Sequence, residues 1–132
     1  MDKEKRFVLG LVIIAIINLF VALMTITFWT GHLLAHRFPK TLPVPDNLYD
    51  AFALPDLVMS VFLIIGSFGL LRFKKTGYVF SLVGTGMWLF DVLLAAGLTG
   101  LFKFSIVLPS LLFCLWAIFL MWSKRDIFQL FS

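Results

Sequence analysis

The sequence predicts an all-α membrane protein, a four-transmembrane-helix bundle with N and C termini cytoplasmic. Three observations predict it. Of the 132 residues, 61% are hydrophobic and the mean hydropathy is +1.05, well outside the range of soluble domains. Only 14% are charged, and those charges bunch between long apolar runs instead of decorating a surface. Four such runs approach or exceed the ~20 residues that cross a hydrocarbon core of ~30 Å. The length leaves room for one domain, residues 1–132.

The first span is expected at 7–29. The preceding Asp2-Lys3-Glu4-Lys5-Arg6 resembles the start of a signal peptide, but the apolar run from Phe7 to Trp29 exceeds the ~7–15 residues of a signal core, and no small-x-small cleavage signature follows. It is expected to stay as a span, with Asn18 as its one strongly polar side chain near mid-depth. The connection 30–53 is expected outside the membrane, because Pro39, Pro43 and Pro45 with Asp46 and Asp50 make it too polar for lipid and too broken for one helix. Short helices are expected near His32 to Phe38 and Asn47 to Phe52.

The second span runs from about 54 to 73, with Pro55 in its first turn, where a missing N–H costs nothing. A tight turn carrying Arg72, Lys74, Lys75 and Gly77 leads to the third span, 77–101. That span is rich in small residues, among them Ser81, Gly84, Thr85, Gly86, Ala95, Ala96, Gly97 and Gly100, so close helix approach is expected there. The fourth span, 104–122, holds Pro109 near its start, as a kink or within the opening turns. The tail from Asp126, with Ile127, Phe128, Leu130 and Phe131, is expected on the inner interface.

Orientation follows from Lys and Arg, which concentrate in cytoplasmic loops. Lys3, Lys5, Arg6, Arg72, Lys74, Lys75, Lys124 and Arg125 fall on one side, and Arg37, Lys40 and Lys103 on the other. Eight against three puts both termini inside a cell membrane. Trp29 then reads as an outer aromatic anchor, and Tyr78 and Trp122 as inner ones.

Several function classes drop out. Cys114 is the only cysteine, so neither an internal disulfide nor CxxC redox chemistry is available. The net charge of +4 reads as topology, since no basic stripe interleaved with aromatics points to nucleic acid. Gly84-Thr85-Gly86 follows no strand and is not a nucleotide signature.

Intramembrane ionisable residues need a reason, because each costs about 2.5–3.5 kcal/mol at a helix centre on insertion scales. Asp91 lies 14 residues after Gly77, roughly 21 Å up the third span and in its outer half. Its helical face includes Gly84, Trp88, Ala95 and Leu98. Asp56 opens the second span above Ser60, Leu63 and Ser67. The first span shows Asn18, Ala22, Thr25 and Trp29 on one face, and the fourth Ser110, Cys114 and Ala117. If these faces converge, they line an outward-opening pocket whose ligand-binding residues are Asp91, Asp56, Trp88, Ser60, Asn18 and Thr25. Such a pocket suits a cation, a proton or an amine-bearing lipophilic ligand, with Trp88 available for cation–π contact. Each residue also has a plainer reading: Asp56 as a helix cap in outer water, Asp91 as a protonated or hydrogen-bonded carboxyl that joins helices, Asn18 as interhelical glue.

His32 and His36 are spaced i, i+4, as two metal ligands on one helical face would be, and Asp46, Asp50 or Asp56 could add a carboxylate. The segment His32-Leu33-Leu34-Ala35-His36 lacks the internal glutamate of a zinc-protease helix, and two solvated interfacial histidines explain it equally.

In size and span count the chain resembles the small multidrug resistance transporters, whose fold implies four helices working as a dimer. Their essential glutamate lies in the first span, where this sequence has Asn18 and no acid, so that residue has no counterpart here. The expectation carried forward is a binding or transport protein with no cofactor and no catalytic residues. The alternatives are an accessory or assembly subunit of a larger membrane complex and a metal-dependent membrane enzyme using His32 and His36. The expected partners are the lipid bilayer, a small cationic or lipophilic ligand, and a second copy or a larger membrane protein; nucleic acid is not among them.

Overall fold

The computed structural model describes residues 2–42, 44–99 and 104–129. Pro43, Gly100, the end of the third span at Leu101, Lys103 and the tail residues Leu130, Phe131 and Ser132 lie outside the described residues. Those described form helices and no strand: α1 (Lys3–Leu34), α2 (Asp46–Ala51), α3 (Ala53–Leu71), α4 (Lys75–Thr99), α5 (Phe104–Ser123) and α6 (Arg125–Gln129). Four of them, α1, α3, α4 and α5, are long and apolar enough to cross a membrane. Their flanks expose Phe20, Phe90, Ile106 and Phe119, each more than 60% accessible, as suits surfaces solvated by lipid chains.

The 32 residues of α1 are about 48 Å long, more than the hydrocarbon core needs, so its ends project beyond the Phe7–Trp29 segment. Asp2 caps its start by accepting the Lys5 N–H at 2.8 Å. At the other end the helix absorbs His32 and stops at Leu34, so the separate helix expected over His32 to Phe38 does not form. His36 adopts a left-handed backbone (φ 53°) and the Arg37 N–H closes on the Gly31 carbonyl at 2.9 Å. The expected short helix near Asn47 is α2. Pro109 sits in the second turn of α5, which continues through it.

α3 lies between α1 and α4, and α5 lies against α4. The α3–α4 turn is a Schellman closure: Phe73 N–H to Leu70 carbonyl at 3.0 Å and Lys74 N–H to Gly69 carbonyl at 2.9 Å, with Phe73 itself left-handed (φ 53°). Just beyond the turn Gly69 and Gly77 meet backbone to backbone, leaving no room for a Cβ on either, and Gly66 meets Ser81 in the same way. Only part of the small-residue content of α4 serves this contact. Gly77, Ser81 and Gly84 face α3, whereas Gly86 and Gly97 face open space.

At the end of the bundle that carries both termini, Phe7, Leu11, Ile14 and Ala15 of α1 pack with Leu70 of α3 and with Ala117 and Met121 of α5. Phe128 of α6 completes this cluster at 1% exposure, stacked on Tyr78 at 4.4 Å, so this residue inserts into the bundle where a surface position was expected. Toward the opposite, loop end, Val21 and Thr25 of α1 and Val107 and Ser110 of α5 line a common cleft, part of the candidate site.

Candidate functional site

Asp56 is the fourth residue of α3, and its backbone N–H bonds the Phe52 carbonyl at 3.1 Å. Its carboxylate caps no helix. It accepts the indole Nε1–H of Trp29 at 2.8 Å. Trp29 is only 3% exposed, so it does not act as the interfacial anchor its position suggested. A buried indole N–H requires an acceptor, and Asp56 supplies it. From α4, Asp91 borders the same two clefts as Asp56. Side chains from α1, α3 and α4 thus come to one place: Trp29 bonded to Asp56, with Asp91 on the wall of the same clefts.

The two carboxyls border a pair of joined clefts. One, about 400 Å³, lies under the loop and is walled by Met24, Phe28, Trp29, Tyr49 and Phe52. The other, about 360 Å³, runs toward α5 between Val21, Trp88, Val107 and Ser110. Thr25, Thr41, Leu42 and Ala95 border both. The loop is an organised roof: the Thr41 N–H donates to the Tyr49 hydroxyl at 3.1 Å, and Lys40 Nζ bonds the Val44 carbonyl at 2.7 Å and Asp46 at 2.9 Å. Trp29, Val44, Tyr49 and Ala53 bury together beneath it.

Of the six residues expected to line the pocket, the structure brings Asp91, Asp56, Trp88 and Thr25 to the clefts. Ser60 is buried behind Asp56 and donates to its backbone carbonyl at 2.8 Å. Asn18 is fully buried about two turns deeper, where Nδ2 donates to Thr85 Oγ1 at 3.3 Å and Oδ1 has no partner. It ties α1 to α4 and does not touch the clefts. Sequence reasoning missed the Trp29 indole as a donor, although Trp29 shares a helical face with Thr25, and missed Thr41, Leu42 and Tyr49 as the roof.

His32 and His36 do not present two imidazoles on one face, because α1 ends between them. His32 has both ring nitrogens engaged: Nδ1 faces the Phe38 carbonyl and Nε2 lies 3.1 Å from Asp50 Oδ1. Both partners are acceptors, an arrangement that favours the protonated ring. The Phe38 carbonyl foremost, with the Asp50 carboxylate, holds its pKa above the usual 6.5. His36 is exposed and borders the same hollow of about 290 Å³ as His32, Lys40, Asp46 and Asp50. Among the described residues no three His, Cys, Asp or Glu side chains gather as a metal site.

Compared with known protein families, with characterised proteins and with solved structures, the chain matches none.

Proposed function

We propose that this is a multi-pass protein of the cell membrane with both termini in the cytoplasm, and that its clefts take a cation or a lipophilic amine from the outer side in exchange for a proton. What supports the orientation is the excess of Lys and Arg at the end that carries the termini and the α3–α4 turn. What carries the functional reading is that Asp56 and Asp91 border the same two clefts, one beneath the loop and one beside α5.

In this reading the two carboxyls share one proton and carry a single negative charge, because two bare carboxylates bordering one cleft repel each other. The Trp29 indole steadies that charge on Asp56. An ammonium placed between the two carboxyls donates to both and makes the shared proton redundant. Cation in and proton out keeps the local charge constant, which matters where an uncompensated charge costs several kcal/mol. Met24, Leu42 and Val107 offer apolar wall to a lipophilic substituent, and Trp88 a ring face to its cationic head. Exchange of this kind is the elementary step of proton-coupled transport.

The test is binding of the fluorescent primary amine dansylcadaverine to the protein in lipid nanodiscs. Binding is expected to tighten as pH rises, because protons compete for the same pair. Asp91→Asn is expected to weaken it at least about tenfold and to remove the pH dependence, with folded yield unchanged, since the loss of one bridging charge-assisted bond is worth about 1.5–3 kcal/mol. Equal affinity in that variant refutes the reading.

A further inference from the structure

We propose that the terminus end of the bundle holds a binding site for an anionic phospholipid, in the groove between α1 and α5. This does not depend on the cleft at the other end. The groove encloses about 500 Å³ and is bordered by Lys3, Arg6 and Lys124 with Phe7, Gly10, Trp116 and Leu120. Its cations come from the start of α1 and from the turn after α5, and among the described residues no carboxylate stands within ion-pair distance of any of the three. The acids nearby in sequence, Asp2, Glu4 and Asp126, do not border the groove.

The groove is polarised along its length. Lys3 and Arg6 lie at the start of α1 and Lys124 just past the end of α5, so the charges form one rim. Gly10 lies about 6 Å deeper than Arg6, and Trp116 about 12 Å deeper than Lys124. Gly10 sets the width of the floor, because a Cβ there would come within 2.6 Å of Leu120 Cδ2. A cationic rim above an apolar trough is complementary to a molecule with an anionic head and a hydrocarbon tail. A free phosphate ion has no use for the trough. An acidic peptide entering it would leave backbone N–H and C=O groups unsatisfied against hydrocarbon. A phospholipid places its phosphate at Lys3, Arg6 and Lys124 and lays one acyl chain over Gly10 toward Trp116.

The experiment is native mass spectrometry of the protein released from membranes of equal phosphatidylglycerol and phosphatidylcholine. The parent protein is expected to keep phosphatidylglycerol over phosphatidylcholine by at least about fivefold. The triple variant Lys3→Gln, Arg6→Gln, Lys124→Gln is expected to bring the two to parity. A control triple, Arg72→Gln, Lys74→Gln, Lys75→Gln, removes the same charge from the same end of the bundle and is expected to keep the preference. Should the groove triple fail to fold, Lys124→Gln alone is expected to lower the preference by about twofold or more. The proposal is overturned by no preference in the parent, by an unchanged preference in the groove variants, or by an equal loss in the control. Displacement of the lipid by glycerol phosphate, which has the head and no tail, would overturn it too.

Discussion

Replacing Gly66 by alanine probes the α3–α4 interface, the pair of helices that carries Asp56 and Asp91. A Cβ on Gly66 would stand 2.5 Å from the Ser81 backbone nitrogen and 2.8 Å from Ser81 Cα, where ordinary contact begins near 3.4 Å. The shortfall, about 0.6–0.9 Å, cannot be absorbed by a rotamer change because the obstacle is backbone. The two helices must part, and overpacking of this kind costs about 1–3 kcal/mol. Alanine returns up to about 1 kcal/mol through its better helix propensity. Gly86→Ala on α4 isolates that second effect, since a Cβ there meets nothing within 4 Å. The difference between the two variants is therefore the overpacking cost alone, with Gly66→Ala the less stable by about 1–3 kcal/mol. Reversible unfolding in mixed dodecylmaltoside and SDS micelles, followed by tryptophan fluorescence, measures it. Equal stability, or Gly66→Ala the more stable, refutes the close-packed α3–α4 contact.

Trp29→Phe keeps a ring in the roof cluster but removes the donor to Asp56, and a loss of about 1.5–3 kcal/mol is expected in the same assay; a loss under about 0.5 kcal/mol would mean the bond is not formed. Asn18→Leu is expected to be close to neutral because it also removes an amide oxygen with no partner. In a double-mutant cycle with Thr85→Val the coupling is expected near 0.6 kcal/mol; no coupling would show that the two side chains do not meet. For His32 the folded pKa is raised, so its hold on Phe38 and Asp50 is complete below pH 6.5 and is lost as pH climbs through the folded value. The His32 ring resonance should therefore titrate above 6.5 and move back toward it in Asp50→Asn, with Thr41 and Leu42 amides exchanging faster at the alkaline end. A midpoint at or below 6.5 contradicts the double-acceptor geometry.

The four helices were legible because a lipid solvent writes long apolar runs into the chain, and the run from Phe7 to Trp29 is long enough to span with Asn18 its one strongly polar residue. The α3–α4 turn was equally open, its cations marking the break. For the site, helical wheels sufficed where both partners sit on regular helices. They placed Asp91, Trp88 and Thr25 on inward faces, and those side chains border one cleft. They could not fix the height at which one helix faces another, so Asn18 was grouped with acids that lie two turns away, while its partner Thr85 was read only as packing. The roof was invisible for a different reason. Thr41, Leu42 and Tyr49 are placed by side-chain bonds within an irregular loop, and no periodicity announces such bonds. Trp29 had a signal that passed unused, an indole N–H on the same face as Thr25, which burial obliges to find an acceptor.

The central claim is that Asp56 and Asp91 share one proton that a bound cation displaces. Proton release on adding dansylcadaverine to the purified protein in weakly buffered solution, read with a pH indicator, tests it most directly. Release of about one proton per chain is predicted, falling to none in Asp91→Asn. Binding without release in the parent protein, or undiminished release in the variant, would contradict it.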